Sequence, residues 1–142
     1  MQVEAEKIRR RISSSVLALL LVCGTAQASN WVSLGKATDG TTDALVDTSS
    51  IRVAGAIRRA WIKTVYIYER PPDPTDKLTS NSVEHWMFNC GDETGRLEAF
   101  IVYYTDGTHV ESDSSRPKPF QAVFPDTVLN TEILFICEWK AK

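Results

Sequence analysis

The groups in this sequence able to carry chemistry are few. There are two histidines, His85 and His109, and three cysteines, Cys23, Cys90 and Cys137. His85 falls in mid-strand and His109 just past a hairpin turn, with no His-x-x-x-His or comparable ligand spacing, so no metal site and no cofactor is expected. Asp47 stands beside Ser49 and Ser50, which invites a nucleophile reading. No Gly-x-Ser-x-Gly elbow surrounds them, and no histidine is near in sequence. A turn carboxylate that satisfies backbone donors is the expected role. A small hydrolase would have to assemble its site across the fold from Asp47 and His85 or His109. The chain is expected not to be an enzyme.

Beyond the N-terminal 28 residues, Arg52, Arg58, Arg59 and Lys63 form the one basic cluster of an acidic domain. In an extended strand Arg59 and Lys63 share a face with Trp61 between them, an arrangement suited to an acidic polysaccharide, anionic lipid or acidic protein patch. Arg58, Arg59, Trp61 and Lys63 are therefore the candidate ligand-binding residues. The bland alternative is a solvated face paired with nearby carboxylates. Tyr66, Tyr68, Tyr103 and Tyr104 could offer an aromatic binding patch, although such residues are more often core and cross-strand packing.

The N-terminus sets the compartment. Lys7, Arg9, Arg10 and Arg11 precede an unbroken apolar run, 16–23, and Ala26-Gln27-Ala28 gives the small-x-small pattern of signal peptidase cleavage. That run is too short for a transmembrane helix, which takes about 20 residues. Residues 1–28 thus read as a signal peptide and 29–142 as one exported domain, placed in the periplasm, on the outer-membrane surface or outside the cell. Lipid anchoring at Cys23 is disfavoured because Val22 stands where that signal wants a small residue. Removing 1–28 takes away four basic and two acidic side chains and moves the net charge from −2 to −4. A mildly acidic domain is a poor general nucleic-acid binder. Two cysteines remain in an oxidising compartment, and a Cys90–Cys137 disulfide is the simplest outcome.

These residues need elements to hold them. Trp31–Gly35 and Ala44–Asp47 are short strands, and Ile51 and Val53 restart the apolar pattern. The longest strand candidate, Ala56–Tyr68, is rich in β-branched and aromatic side chains. Its Ile57, Arg59, Trp61, Lys63, Val65 and Ile67 oppose Arg58, Ala60, Ile62, Thr64, Tyr66 and Tyr68. A sheet apolar on both sides wants a helix on one and a partner, such as a second subunit, on the other. Pro71, Pro72 and Pro74 make an exposed connection. Glu84, Trp86, Phe88 and Cys90 then share a face, opposite Val83, His85, Met87 and Asn89. Gly91–Gly95 reads as a turn, and Arg96–Thr105 returns with Leu97, Ala99, Ile101 and Tyr103 on one side. Asp106-Gly107 marks a tight hairpin into Thr108–Glu111. A loop over 112–119 and a short strand at Phe120–Phe124 lead to Pro125. From there Thr127 caps a helix that puts Leu129, Ile133, Ile136 and Cys137 on one face, although Ile133–Cys137 would also suit a buried strand. The fold class expected is α+β: a single antiparallel sheet of about six strands with a C-terminal helix packed on it and tied by one disulfide.

At this point the sequence resembles the surface-adhesin protein E family of secreted bacterial domains. The matching pieces are Trp31, Val46-Asp47-Thr48-Ser49-Ser50-Ile51-Arg52, Trp61, Ser82, Phe88-Asn89-Cys90, Phe120 through Pro125, and Thr127 to Ile136-Cys137. The resemblance implies a small sheet with a tied helix, sometimes dimeric. In the best-known member it implies binding of host matrix and plasma proteins such as laminin, vitronectin and plasminogen. The function expected is a non-catalytic, adhesin-like module with a protein or polysaccharide ligand. The alternative is a periplasmic accessory or inhibitor protein of the cell envelope.

Overall fold

The computed structural model describes residues 28–68, 75–113, 116 and 118–140. The basic cluster and apolar run of the leader, Cys23, and Pro71, Pro72 and Pro74 lie outside these. The strands are β1 (Trp31–Lys36), β2 (Thr42–Asp47), β3 (Arg52–Ala54), β4 (Ile57–Tyr66), β5 (Thr79–Asn89), β6 (Thr94–Tyr104), β7 (His109–Asp113) and β8 (Gln121–Ala122), followed by the helix α1 (Val128–Glu138). One antiparallel sheet runs in the order β1-β2-β4-β5-β6-β7, with the short β3 on β4 and β8 on β6. The six-strand path matches the expected sheet, and the helix follows it as expected.

Helix formation at 128–138 has a local cause. The Thr127 side chain accepts a hydrogen bond from the Asn130 amide at 3.1 Å, satisfying one of the donors that a helix start leaves open. Ile133 and Ile136 then reach the sheet, where they are 2% and 0% exposed beside Val46, Ile62 and Phe88. Burying such a side chain stabilises the fold by about 1.5–3 kcal/mol. The far end of α1 is held by the Cys90–Cys137 disulfide, whose Cα atoms are 5.6 Å apart.

The faces of β4 and β5 divide as their alternation predicts, because residues opposite one another in a ladder share a face. Ala60 faces Trp86, and Ile62 faces Glu84, under the helix. Trp61 faces His85, and Lys63 faces Val83, on the side away from the helix, where Trp61 is 37% exposed while Met87 is buried.

β6 departs from simple alternation. Its register with β5 shifts between the His85–Ala99 and Trp86–Leu97 pairs, leaving Glu98 as an extra, bulged residue. Leu97 therefore joins Trp86 on the helix side instead of sharing the face of Ala99, Ile101 and Tyr103. Gly95 also belongs to β6 and not to the preceding turn.

Candidate functional site

The uncovered face of the sheet centres on Trp61. β2 and β3 lie along the same edge of β4, separated by the turn Thr48–Ser50. Trp61 falls at the break, and its amide donates to Ser50 Oγ at 2.9 Å in place of a ladder partner. Ser50 Oγ in turn donates to the Asp47 carbonyl at 2.6 Å. Asp47 Oδ1 accepts from the Asn30 amide at 2.8 Å and from the Ser49 hydroxyl at 2.6 Å. Burial pushes the Asp47 carboxyl up, but bonds from Ser49, Asn30 and Ser29 outweigh it and hold the group below the usual carboxylate range. Asp47 is thus a turn carboxylate, engaged by its neighbours, as its sequence context suggests.

The Trp61 indole stacks on the His85 ring with centroids 4.7 Å apart and planes 30° off parallel. His85 Nδ1 lies 3.3 Å from Glu98 Oε2, and Arg59 Nε lies 3.4 Å from the same oxygen. Arg96 Nη2 contacts Glu98 Oε1 at 3.1 Å. The bulge therefore delivers one carboxylate into the midst of two guanidinium groups and an imidazole. Burial pushes the His85 imidazole below its ordinary value; Glu98 opposes that change and Arg59 adds to it. Near neutral pH the imidazole is then chiefly neutral, with Nδ1 in close electrostatic contact with Glu98.

Of the basic candidates, Arg59 and Lys63 flank Trp61 on this face. Arg59 is committed to Glu98. Arg58 points to the helix-bearing side, opposite Phe88, and its Nη1 donates to the carbonyls of Gly55 at 2.6 Å and Ile57 at 3.2 Å. Its visible work is holding the β3–β4 turn. The sequence did not single out Glu98, whose role depends on a bulge that alternation hides. His109 is on β7, tilted against Tyr103 with centroids 5.9 Å apart. The contacts of the two histidines and Asp47 do not join them into one constellation.

Beyond Trp61 the face dips into an open groove of about 640 Å3, lined among others by Trp61, Ala99, Ile101, Glu111 and Asp113. Under the helix lies a different grouping. Glu84 accepts from Ser82 Oγ at 3.0 Å and from Trp86 Nε1 at 2.7 Å. Glu132 of α1 is only 4% exposed, and burial, reinforced by Glu84, pushes its carboxyl up to about 8. Among the described residues, no group of three His, Cys, Asp or Glu side chains is placed to hold a metal ion. No helix among them is long and apolar enough to cross a membrane.

Comparison with known proteins adds the family. The model of the family described as surface-adhesin protein E matches residues 31–138. No curated protein matches the sequence. Among solved structures, protein E from non-typeable Haemophilus influenzae is 19% identical, with 82% of this chain and 81% of that chain covered and a TM-score of 0.47. A second crystal form of Haemophilus influenzae protein E is 17% identical, with 82% and 94% covered and a TM-score of 0.49.

Proposed function

Because the chain belongs to the surface-adhesin protein E family, we propose that it is an exported, non-catalytic binding domain whose ligand surface is the uncovered face of the sheet, centred on Trp61. The leader, 1–28, directs export, and the domain is displayed at the cell surface. Its ligands are extracellular matrix or plasma proteins, with acidic polysaccharide as the competing class.

The observation that carries this reading is the exposure of Trp61. The side chain is one of the largest in the chain, stands in mid-sheet and is 37% exposed, although an element covers the opposite face. An indole stacked on His85 presents a large area with few rotatable bonds, which is what interface hot spots need. Lys63 beside it supplies a positive charge with no partner among the described residues. Arg59, locked to Glu98, contributes its outer surface.

Solid-phase binding of residues 29–142 to laminin, vitronectin, plasminogen and heparin tests the reading. Trp61→Ala should weaken binding of the preferred ligand by about ten-fold or more, in line with a hot-spot loss above roughly 1 kcal/mol. Arg58→Ala should leave it unchanged. An unaltered affinity in Trp61→Ala would remove the sheet face as the ligand surface. Protease shaving of intact cells supplies the second arm: release of peptides from 29–142 supports surface display, and protection until the outer membrane is opened overturns it.

A further inference from the structure

The groove beside Trp61 has a chemistry distinct from that of the basic residues around it. Successive strands lie about 4.8 Å apart, so β4 and β7, separated by β5 and β6, are roughly 14 Å apart across the face. Trp61 leans over His85 of β5. What remains between the indole and β7 is a trough above β6, whose floor is Ala99 and Ile101. Its far wall is Glu111 and Asp113, which stand opposite Ile101 and Ala99 and so share their face. Among the described residues no lysine or arginine of the sheet strands forms an ion pair with either carboxylate. Arg116 and Lys118 border the next depression beyond Asp113, which leaves Glu111 the carboxylate farther from them.

An apolar floor, an aromatic wall and a carboxylate rim together suit a long amphipathic cation. The methylenes of a lysine or arginine bury against alanine and isoleucine while the charged head reaches the rim. The indole adds cation–π attraction. The rim's charge is repulsive to an acidic ligand. We infer that the groove between Trp61 and β7 takes a lysine or arginine side chain from an extended basic segment of a protein partner, with Glu111 as its main counter-charge and Asp113 as the second. This site rests on the proposal that the uncovered face is the ligand surface, and it names the partner's chemistry there. The face is then bipolar, with Lys63 at its β2 side and carboxylates along β7, and a partner carrying both charges is bound in one orientation.

The test is calorimetric titration of residues 29–142 with a short synthetic peptide alternating lysine and threonine, with a glutamate–threonine peptide as control. The lysine peptide should bind and the glutamate peptide should not. Glu111→Gln/Asp113→Asn should weaken the lysine peptide by about ten-fold or more. Asp126→Asn/Glu138→Gln, which removes the same charge from exposed positions just before the helix and at its last residue, should leave it unchanged. Equal weakening in both double variants, or none in the first, overturns the site. So does Trp61-dependent binding of neutral oligosaccharide with no lysine-peptide binding, an outcome that leaves the sheet face as the ligand surface. Binding of the lysine peptide that needs Glu111, with matrix adhesion untouched by Trp61→Ala, instead keeps the groove and removes the proposed ligand surface.

Discussion

Glu132, in the middle of α1, is buried against the sheet within electrostatic reach of Glu84 on β5. Glu84 is already committed as an acceptor for Ser82 and Trp86. The helix docks by keeping Glu132 protonated, since a second carboxylate there would be both desolvated and repelled. The folded state thus binds a proton that the unfolded chain releases near 4.5, and it holds that proton up to about 8. Stability from this group is fully present below 4.5 and is lost as pH rises towards 8.

Glu132→Gln removes that dependence. The difference between the two ionisation ranges sets a ceiling of about 5 kcal/mol on the effect. Urea denaturation from pH 5 to 9 should show the variant gaining on the wild-type chain as pH rises, with the gap constant above 8. Parallel curves would mean that Glu132 reaches water or a partner in the folded state.

The Cys90–Cys137 link joins the end of β5 to the end of α1 across 47 residues. Closing a loop of that length restricts the unfolded chain by about 4 kcal/mol on the chain-entropy model. Cys90→Ala/Cys137→Ala should lose stability of that order in chemical denaturation. Amide exchange should rise first in α1, because β5 stays paired on both sides while the helix keeps only its apolar contacts. Uniform exchange across sheet and helix would show that the two unfold together with or without the bond.

His85 reads the charges around it, and its neighbours pull in opposite directions. Glu98→Gln should lower the His85 titration midpoint further, and Arg59→Gln should raise it, both followed by the ring proton signals. Stability should change little in Arg59→Gln, because the Arg59 side chain is 44% exposed and such pairs are screened. Shifts of the same sign in the two variants would place His85 outside the Glu98 network.

Much of this architecture was legible from residue pattern alone. β-branched alternation in β4 and β5 assigned their faces correctly, and Thr127 with the spacing of Leu129, Ile133 and Ile136 located the helix. Period-two counting failed where a bulge inserted Glu98, since nothing local in Leu97-Glu98-Ala99 announces that two residues oppose one. Glu98 is thereby the least legible member of the site, although it organises Arg59, His85 and Arg96. Glu132 was hidden for a different reason. A charged residue on an apolar helix stripe reads as a face boundary, and only the neighbouring sheet shows that it is enclosed. The groove was equally out of reach, because β4 and β7 are far apart in sequence and meet across two intervening strands.

Gly95 tests the packing beneath the sheet. Its sequence context, after Gly91, suggested a turn, yet it lies inside β6 opposite Phe88. A Cβ at this position would come within 3.0 Å of the Phe88 ring and 3.5 Å of Val123. Phe88 is fully buried and stacked on Trp86 at 5.7 Å, so it cannot retreat without disturbing the core. Gly95→Ala should therefore destabilise the domain by about 1–3 kcal/mol, the usual cost of overpacking, despite the better strand propensity of alanine. Phe88→Leu alone opens space and should also destabilise. Together the two changes should cost less than their separate effects added, because the methyl then occupies room that the smaller side chain vacates. A double-mutant cycle by urea denaturation measures the coupling, and strict additivity would show that the ring and the glycine do not compete for the same space.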